Sequence, residues 1–250
     1  MHRFYVPPSE CQKDEFELRP QDARHAFNVL RLSKGDEVEV LNGLGDLIHS
    51  RLISCSKRSV SVRVESKTHQ SQPTLSLGLA LPLLKPKAMD WSLQKATELG
   101  VSHIWLMKCE RSVVHWKQKD ISAKLQKIET LLIESMKQCG AVWKPYLHAP
   151  ATLNDTLRSF EVDCQCLYGS LYPDTPSIPL WKAAEHIDGR LVCWCIGPEG
   201  DFTENEIQSL TTSGAQAVDM GPLILRAETA VTCGLSVLGQ RIHFRRQMDA

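Results

Sequence analysis

Two glycine-containing segments near the C-terminus constrain the fold of this chain more than any other feature. The first, Ile196–Phe202, directly follows the apolar run Leu191–Cys195, and the second covers Met220–Ala230. A short apolar run that ends in glycine and leads into a capped helix is typical of a buried strand followed by a tight loop. Thr203 and Glu206 have the spacing of a capping box, which predicts a helix after the first loop. Because ligands bind at the carboxyl ends of strands in open α/β sheets, both loops are candidates for one ligand site.

Beyond residue 73, predicted strands and helices alternate along the chain. Apolar residues alternate with small ones between Leu75 and Leu81, and a predicted helix over 88–99 ends at Gly100. A longer helix begins after Asp120, carries its apolar residues on one stripe and stops at Gly140. This pattern predicts an α/β fold, in which a mostly parallel sheet has helices on both faces. Further strands are predicted near 101–107, 166–168, 191–196 and 217–220, and a final helix over 228–241.

The first 70 residues show a separate pattern, mostly of short strands. Glu37–Leu41 and the segment 59–65 alternate between apolar and polar residues, and Asn42 with Gly43 forms a turn signal. A helix is predicted over 20–32. We therefore predict two domains, a small N-terminal β-barrel over residues 1–70 and an α/β domain over residues 73–250, joined by a polar linker.

Composition restricts the class of protein. The 29 Lys and Arg residues balance 29 Asp and Glu, so attraction to nucleic acid must come from local patches. The nine cysteines have no CxxC spacing and are interpreted as small apolar residues in a reducing compartment, which predicts a cytoplasmic location. No signal peptide, membrane segment or metal site is expected from the sequence. The absence of P-loop, GxGxxG, GxSxG and HExxH motifs argues against NTPases, dinucleotide enzymes, common hydrolases and zinc enzymes.

The two glycine segments also resemble the cofactor loops of SPOUT-class RNA methyltransferases. The pairing of GPEGDF at 197–202 with MGPLILRAETA at 220–230 is similar to the RsmE-like family, which methylates N3 of a uridine in small-subunit ribosomal RNA. The likeness covers nearly the whole chain, with its motifs in the family's order. The upstream motifs are Arg3–Pro8, Ala23–His25, Val29–Leu32, Met89–Trp91, Gln94–Val101 and Glu110–Val114.

This resemblance implies a fold and a function. It implies a PUA-like RNA-binding barrel, a trefoil-knotted SPOUT sheet, and a homodimer whose site is completed near the subunit interface. It also implies S-adenosylmethionine as cofactor, N3 of a uridine in 16S ribosomal RNA as acceptor, and the small ribosomal subunit as partner. Two alternatives stay open: a SPOUT methyltransferase for another RNA nucleoside, and a non-catalytic RNA-binding or ribosome-assembly protein. Mapping of the methylated nucleotide distinguishes a SPOUT methyltransferase for another nucleoside from an enzyme that acts on uridine N3. Cofactor binding distinguishes either enzyme from a non-catalytic RNA-binding protein.

In the family, the two glycine loops hold the cofactor. Glycine lets the main chain come close to adenine and ribose, and Met220, Ile224 and Leu225 are expected to sandwich the adenine ring. The resemblance therefore assigns cofactor contact to Ile196, Gly197, Gly200, Met220, Gly221, Leu225, Thr229 and Ala230.

Catalysis requires a group that removes the N3 proton or stabilises the anion that its loss produces. Uridine N3 is a poor nucleophile until that proton leaves, so a general base or a cation that stabilises the anion is expected. Arg226 is the candidate that orients the substrate or its phosphate, and Glu228 is the candidate base or positioner. The alternatives are a salt-bridged loop arginine and a carboxylate that satisfies N–H groups in the first turn of a helix. Further candidates are Glu110, Arg111, Glu199 and Asp201.

Six basic residues are candidates for RNA contact. Arg24 and Arg31 lie seven positions apart on the predicted helix and would share one face, where arginine side chains contact phosphate. The alternative is an ordinary solvated helix face. The six candidates are Arg3, Arg24, His25 and Arg31 in the first domain, with Lys95 and Arg111 in the second.

The sequence departs from the family pattern at five positions. Lys137, Cys139 and Ala141 lie in a glutamine-centred motif that usually carries acidic and arginine residues. Asp201 replaces a glycine of the first cofactor loop, and aspartate tolerates unusual backbone angles. Leu223 replaces a common arginine, which removes a positive charge near the expected RNA. We interpret these changes as drift rather than as a change of substrate.

Overall fold

The computed structural model describes residues 1–160, 163–171, 175–188 and 190–248. The chain forms two compact units. The first consists of Met1–Gln72 together with Ile133–Lys144, and the second consists of Pro73–Leu132 together with Pro145–Ala250. A long helix, α3 (Ile121–Cys139), begins in the second unit and ends in the first.

The first unit is a five-stranded sheet with one helix of its own. Its elements are β1 (His2–Tyr5), β2 (Glu15–Glu17), α1 (Pro20–Asn28), β3 (Glu37–Leu41), β4 (Asp46–Cys55) and β5 (Val60–His69). The strand order is β1-β3-β4-β5-β2, with β1 parallel to β3 and the other neighbours antiparallel. Val38 and Val40 of β3 and Val60 and Val62 of β5 are buried in one core, as their alternation with polar residues predicted.

Helix α1 is shorter than the sequence predicted. It ends at Asn28 instead of continuing to Leu32, and Arg31 adopts a positive φ of 54°. The chain turns back after Asn28, and Leu30 and Leu32 pack against the core of the first unit. Packing of these two partly buried side chains replaces the last turn of the predicted helix. Arg24 and Arg31 therefore do not share a helix face, and that prediction was wrong.

The last turns of α3 give a structural reason for one departure from the family pattern. Nζ of Lys137 lies 2.8 Å from Oδ1 of Asp22, and Arg19 pairs with the same carboxylate at 2.7 Å. The Asp22 side chain is almost completely buried. A buried carboxylate requires charge-assisted hydrogen bonds. Lys137 therefore has a defined partner within the first unit.

The second unit contains a seven-stranded sheet with helices on both faces. Its strands are β6 (Ser76–Pro82), β7 (His103–Lys108), β8 (Tyr146–Thr152), β9 (Cys164–Gly169), β10 (Ile178–Pro179), β11 (Leu191–Cys195) and β12 (Gln216–Asp219). Its helices are α2 (Pro86–Glu98), α4 (Leu153–Arg158), α5 (Leu180–Glu185), α6 (Glu204–Thr212) and α7 (Ala227–Met248). The order is β10-β12-β9-β11-β6-β7-β8, and the neighbouring strands are parallel. The predicted α/β class with a mostly parallel sheet is confirmed.

The central strand β11 is buried on both sides. Val192 and Trp194 face a core cluster that includes residues of α2 and α7, whereas Cys193 and Cys195 face a second cluster that includes Leu210 of α6. Helices on both faces explain why the whole strand is apolar. This strand ends where the first glycine segment begins.

The sequence patterns did not reveal β2, β8, β10, α4 or α5. Strand β8 lies at the edge of the sheet, and one of its seven residues, Pro150, is buried. An edge strand of this kind carries no regular alternation of apolar residues. Strand β10 has two residues, too few for any pattern. None of the helices in the described part of the chain has both the length and the apolar character that crossing a membrane requires.

Candidate active site

Three loops surround a pocket at the carboxyl edge of the sheet in the second unit. Loop A (Ile196–Phe202) follows β11, loop B (Met220–Arg226) follows β12, and loop C (Gly169–Leu171) lies at the end of β9. Because β9 lies between β11 and β12, the three loops are neighbours. The cavity between them has a volume of about 560 Å³.

Loop A contains a left-handed turn at Asp201. This residue has a φ of 59°, and its carboxylate accepts a hydrogen bond from the backbone N–H of Phe202 at 2.8 Å. A Cβ on Gly197 would lie 2.8 Å from Oδ1 of Asp201, so only glycine fits at 197 without a shift of the loop. Burial raises the pKa of the Asp201 carboxyl. The predicted capping box of Thr203 and Glu206 is present and starts α6 directly after the loop.

Loop B presents a glycine and apolar side chains. Gly221 has a φ of 111°, and the position that a Cβ would occupy has no neighbouring atom within 4 Å. The backbone N–H of Gly221 donates to Oδ1 of Asp219 at 2.8 Å, which fixes the first turn of the loop. Leu223 and Ile224 are strongly exposed, while Leu225 packs partly against the core. Loop B therefore offers main chain and apolar surface to a ligand.

The supports of loops A and B are joined by a hydrogen bond. Nε1 of Trp194, on β11 just before loop A, donates to the carbonyl oxygen of Ala230 at 3.1 Å. Ala230 lies in the first turn of α7, just after loop B. Since Trp194 is fully buried, this bond fixes the start of α7 relative to the central strand.

Most of the residues predicted for catalysis and cofactor binding meet in this pocket. Arg226 and Glu228, the candidates for catalysis, both line it. Gly200 and Thr229 are not among the described residues that line it: Gly200 faces Arg111, and Thr229 is exposed on α7. Cofactor contact by each of these residues stays a prediction. The predicted cofactor residues that line the cavity are Ile196, Gly197, Met220, Gly221, Leu225 and Ala230.

Several lining residues had not been predicted. Loop C was missed, although Gly169 ends an apolar strand just as the glycines of loops A and B follow theirs. Asp219 and Ala88 also line the pocket, and no pattern in the sequence marked them. Lys85 and Arg226 bring positive charge to the cavity. Its carboxylates are those of Glu199, Asp201, Asp219 and Glu228.

The RNA candidates of the first unit differ in their surroundings. Nε of Arg3 donates to Glu39 at 2.8 Å, and its Nη1 donates to the carbonyl oxygen of Gln138 at 3.3 Å. Arg24 and His25 are exposed on α1, and Arg31 is exposed in the turn that follows. RNA contact by these residues stays a prediction.

The two RNA candidates of the second unit make contacts within that unit. Lys95 forms an ion pair with Glu98 at 2.7 Å and lies over the ring of Trp91. Nη1 of Arg111 donates to the carbonyl oxygens of Gly200 and Phe202, both in loop A. Their role in RNA binding also stays a prediction.

A parallel sheet with a three-loop pocket at its carboxyl edge defines an α/β protein with a candidate small-molecule site. Comparison with known families makes the class specific. Residues 70–239 match the RNA methyltransferase domain, and residues 18–65 match the RNA methyltransferase PUA domain. Because the first match covers more than half of the chain, this protein belongs to the RNA methyltransferase family.

Individual relatives agree with this assignment. The chain is 26% identical to ribosomal RNA small subunit methyltransferase E of Bacillus subtilis, over 98% of this chain and 99% of that protein. It is also 26% identical to the protein of the same name from Synechocystis sp., over 94% of this chain and 76% of that protein. A solved ribosomal RNA small subunit methyltransferase E from Neisseria gonorrhoeae, bound to S-adenosyl methionine, is similar with a TM-score of 0.85 and 25% identity, covering 96% of this chain and 97% of that one. The resemblance to the RsmE-like family is confirmed.

Proposed function

We propose that this protein transfers a methyl group from S-adenosylmethionine to N3 of a uridine in small-subunit (16S) ribosomal RNA. The observation that carries the proposal is the three-loop pocket, in a chain that belongs to the RNA methyltransferase family. Relatives named for small-subunit ribosomal RNA support the choice of substrate, and one of them is bound to S-adenosyl methionine. The choice of uridine N3 rests on the resemblance to the RsmE-like family.

The pocket fits S-adenosylmethionine in size and in chemistry. Its volume of about 560 Å³ lies within the roughly 300–1,000 Å³ of small-molecule sites. Gly221 leaves open the space that a side chain would fill, and Ile196 and Leu225 supply apolar surface for a purine ring. Carboxylates such as Glu199 can pair with the amino group of the cofactor. When bound, the cofactor supplies a methyl group that is activated by its attachment to a sulfonium.

The chain's own residues then hold the uracil and remove one proton. Glu228 lines the pocket from the first turn of α7 and accepts the proton from N3. Arg226 lines the pocket from the end of loop B and holds the negative charge that develops on the uracil oxygens, or the adjacent phosphate. Lys85 adds a second positive charge to the same cavity.

We further propose that the second unit carries the trefoil knot of SPOUT enzymes, that the PUA-like first unit binds RNA, and that the protein acts as a cytoplasmic homodimer. Support for the dimer comes from Leu171, Leu223 and Ile224, which are more than half exposed beside the pocket. Clustered exposed apolar side chains mark an interaction surface. Sedimentation velocity tests this point, and a monomer at every concentration contradicts it.

Calorimetric titration of S-adenosylmethionine tests the cofactor. Gly221→Arg places a side chain in the open space of loop B, and Gly214→Arg is its matched control. Gly214 also has a positive φ, of 82°, and open surroundings, but it lies at the end of α6 and not in the pocket. We expect one site per chain in the wild type and in Gly214→Arg, and no binding by Gly221→Arg. No binding by the wild type, with or without RNA, contradicts the proposal.

Nucleoside mass spectrometry tests the acceptor. The gene is expressed in bacteria that lack their own uridine-N3 methyltransferase, and 16S ribosomal RNA is digested and analysed. We expect N3-methyluridine to appear at one position with the wild type and not with Gly221→Arg. Methylation of another nucleoside contradicts the proposed acceptor while leaving the cofactor assignment intact.

A further inference from the structure

Arg111 lies in the segment that follows β7, and its guanidinium reaches loop A. Nη1 donates to the carbonyl oxygen of Gly200 at 3.3 Å and to that of Phe202 at 3.2 Å. The two segments also touch directly, because a Cβ on Gly200 would lie 3.0 Å from Cβ of Arg111. Loop A therefore contacts Arg111 at the residues that lead into α6.

Glu206 makes a second connection between the same two segments. Its side chain is buried, with 6% of the residue exposed. Oε1 accepts a hydrogen bond from the backbone N–H of Glu110 at 2.9 Å, and Oε2 accepts one from the backbone N–H of Thr203 at 2.9 Å. A buried carboxylate with both oxygens bonded to backbone N–H groups is held firmly. The backbone next to Arg111 is thereby fastened to the start of α6.

Arg111 binds loop A at a turn whose backbone conformation is unfavourable. Asp201 has a φ of 59° and lies between the two residues whose carbonyl oxygens Arg111 binds. A left-handed backbone is disfavoured for a residue with a side chain and persists where the surroundings fix it. This chain has aspartate where glycine would adopt the turn freely. The two hydrogen bonds from Arg111 anchor the loop on either side of this aspartate.

We infer that Arg111 is a positioning residue for the cofactor, which holds loop A in the conformation that forms one wall of the pocket. The inference rests on the proposed function. Gly197, Glu199 and Asp201 line the cavity, whereas Gly200 faces Arg111. The guanidinium therefore contacts loop A on the side that faces away from the cavity. A loop that is already ordered binds its ligand more tightly, because less ordering is required on binding.

The test compares Arg111→Ala with Lys108→Ala. Lys108 is exposed at the end of β7, so the control removes the same charge from the same part of the chain. A third variant, Arg111→Lys, keeps the charge but lacks the planar fork of the guanidinium. Four quantities are measured: the Kd for S-adenosylmethionine by calorimetry, amide hydrogen exchange of residues 197–202 without cofactor, affinity for a 16S ribosomal RNA fragment, and stability in urea.

We expect Arg111→Ala to bind S-adenosylmethionine about tenfold more weakly, through loss of the preordered loop. The KM for the cofactor rises by about the same factor, while kcat at saturating cofactor stays within about twofold, because the bound state regains the same geometry. Amide exchange in loop A becomes faster in Arg111→Ala and in Arg111→Lys. RNA affinity falls no further than in Lys108→Ala.

Each other outcome is decisive. If the wild type binds S-adenosylmethionine and Arg111→Ala binds it equally well, the inference is overturned and the proposed function stands. A loss of RNA affinity specific to Arg111→Ala, with an unchanged cofactor Kd, also overturns it. If Arg111→Ala does not fold, unaltered exchange of loop A in Arg111→Lys overturns it. A wild type that does not bind the cofactor overturns the proposed function and the inference together.

Discussion

Gly234 on α7 lies directly against the indole ring of Trp194 on β11: a Cβ at Gly234 would lie 2.2 Å from Cε2 and 2.3 Å from Nε1 of that ring. The same Nε1 donates to the carbonyl oxygen of Ala230, one turn earlier on α7. The indole therefore fixes the helix at two adjacent points. Because α7 begins directly after loop B, this close approach also fixes the position of the end of loop B, which forms one wall of the pocket.

We expect Gly234→Ala to lower the free energy of unfolding by about 3 kcal/mol, since the methyl group would overlap a fully buried ring. Gly239→Ala is the matched control on the same helix. A Cβ there would have its nearest neighbour at 3.7 Å, which is an ordinary contact. Alanine at 239 should therefore stabilise the protein by about 0.5–1 kcal/mol through its higher helix propensity. Urea unfolding measures both, and equal effects of the two substitutions would contradict the close contact.

Lys137→Met should cost about 2 kcal/mol of stability, because it removes one of the cationic partners of the buried Asp22 carboxylate. The loss is smaller than the full cost of an unpaired buried charge, because Arg19 still pairs with Asp22. In the control Arg158→Met, the pair with Asp155 has both side chains more than half exposed, and we expect a loss of no more than about 0.5 kcal/mol. Comparable losses in the two variants would show that Asp22 does not depend on Lys137.

The residues that the sequence placed correctly are those with strong local signals. Strand β3 has the predicted bounds Glu37–Leu41, and the Thr203–Glu206 capping box marks the start of α6. The run Leu191–Cys195 is a fully buried strand that leads into loop A. In each case the information lies within a few neighbouring residues, so propensity and periodicity were sufficient.

The features that the sequence did not reveal depend on contacts between distant residues. Arg111 and Gly200 are 89 positions apart, so nothing near Arg111 indicates that it binds loop A. The contact of Gly234 with Trp194 could not be predicted either, because a glycine inside a helical pattern does not indicate which residue packs against it. The early end of α1 accompanies the packing of Leu30 and Leu32 against the core, where tertiary contacts override helix propensity.

The stacked rings on β7 and β8 predict a loss of stability in acid. His148 stacks on Trp105 with ring centroids 4.6 Å apart, and its Nε2 lies 3.2 Å from Nδ1 of His103. Burial, together with the neighbouring His103, lowers the pKa of His148 to about 4. In the unfolded chain the imidazole has its ordinary pKa of about 6.5, so as the pH falls the unfolded state binds the proton first. This contribution to stability is therefore fully present above about pH 6.5 and is lost toward about pH 4.

We expect the free energy of unfolding of the wild type to fall by about 2 kcal/mol more than that of His148→Phe between about pH 7 and about pH 5. Phenylalanine retains a ring on Trp105 but does not titrate. The control is His115→Phe, at an exposed histidine, and equal changes of the pH dependence in the two variants would contradict a specific role of His148. NMR titration of His148 gives the pKa directly, and a value near 6.5 would remove the basis of this prediction.

Glu228 and Glu204 allow the catalytic proposal to be separated from a role in helix stability. Both carboxylates lie in the first turn of a helix, where each stabilises the N-terminus by about 0.3–1 kcal/mol. Glu228 lines the pocket, whereas Glu204 lies on α6 and is exposed. Replacement of either by glutamine should therefore cost a similar, small amount of stability, but only one replacement removes a group that can accept the N3 proton.

We expect Glu228→Gln to bind S-adenosylmethionine with nearly the wild-type Kd and to methylate 16S ribosomal RNA at least about 100-fold more slowly, whereas Glu204→Gln keeps its activity. The pH profile supplies the sharper readout. At alkaline pH uridine loses its N3 proton to solvent, so the deficit of Glu228→Gln should shrink as the pH rises, because the step that Glu228 performs is no longer needed. A deficit that stays constant with pH would show that Glu228 positions the substrate instead of removing the proton. No deficit at all would show that Glu228 only stabilises the N-terminus of α7.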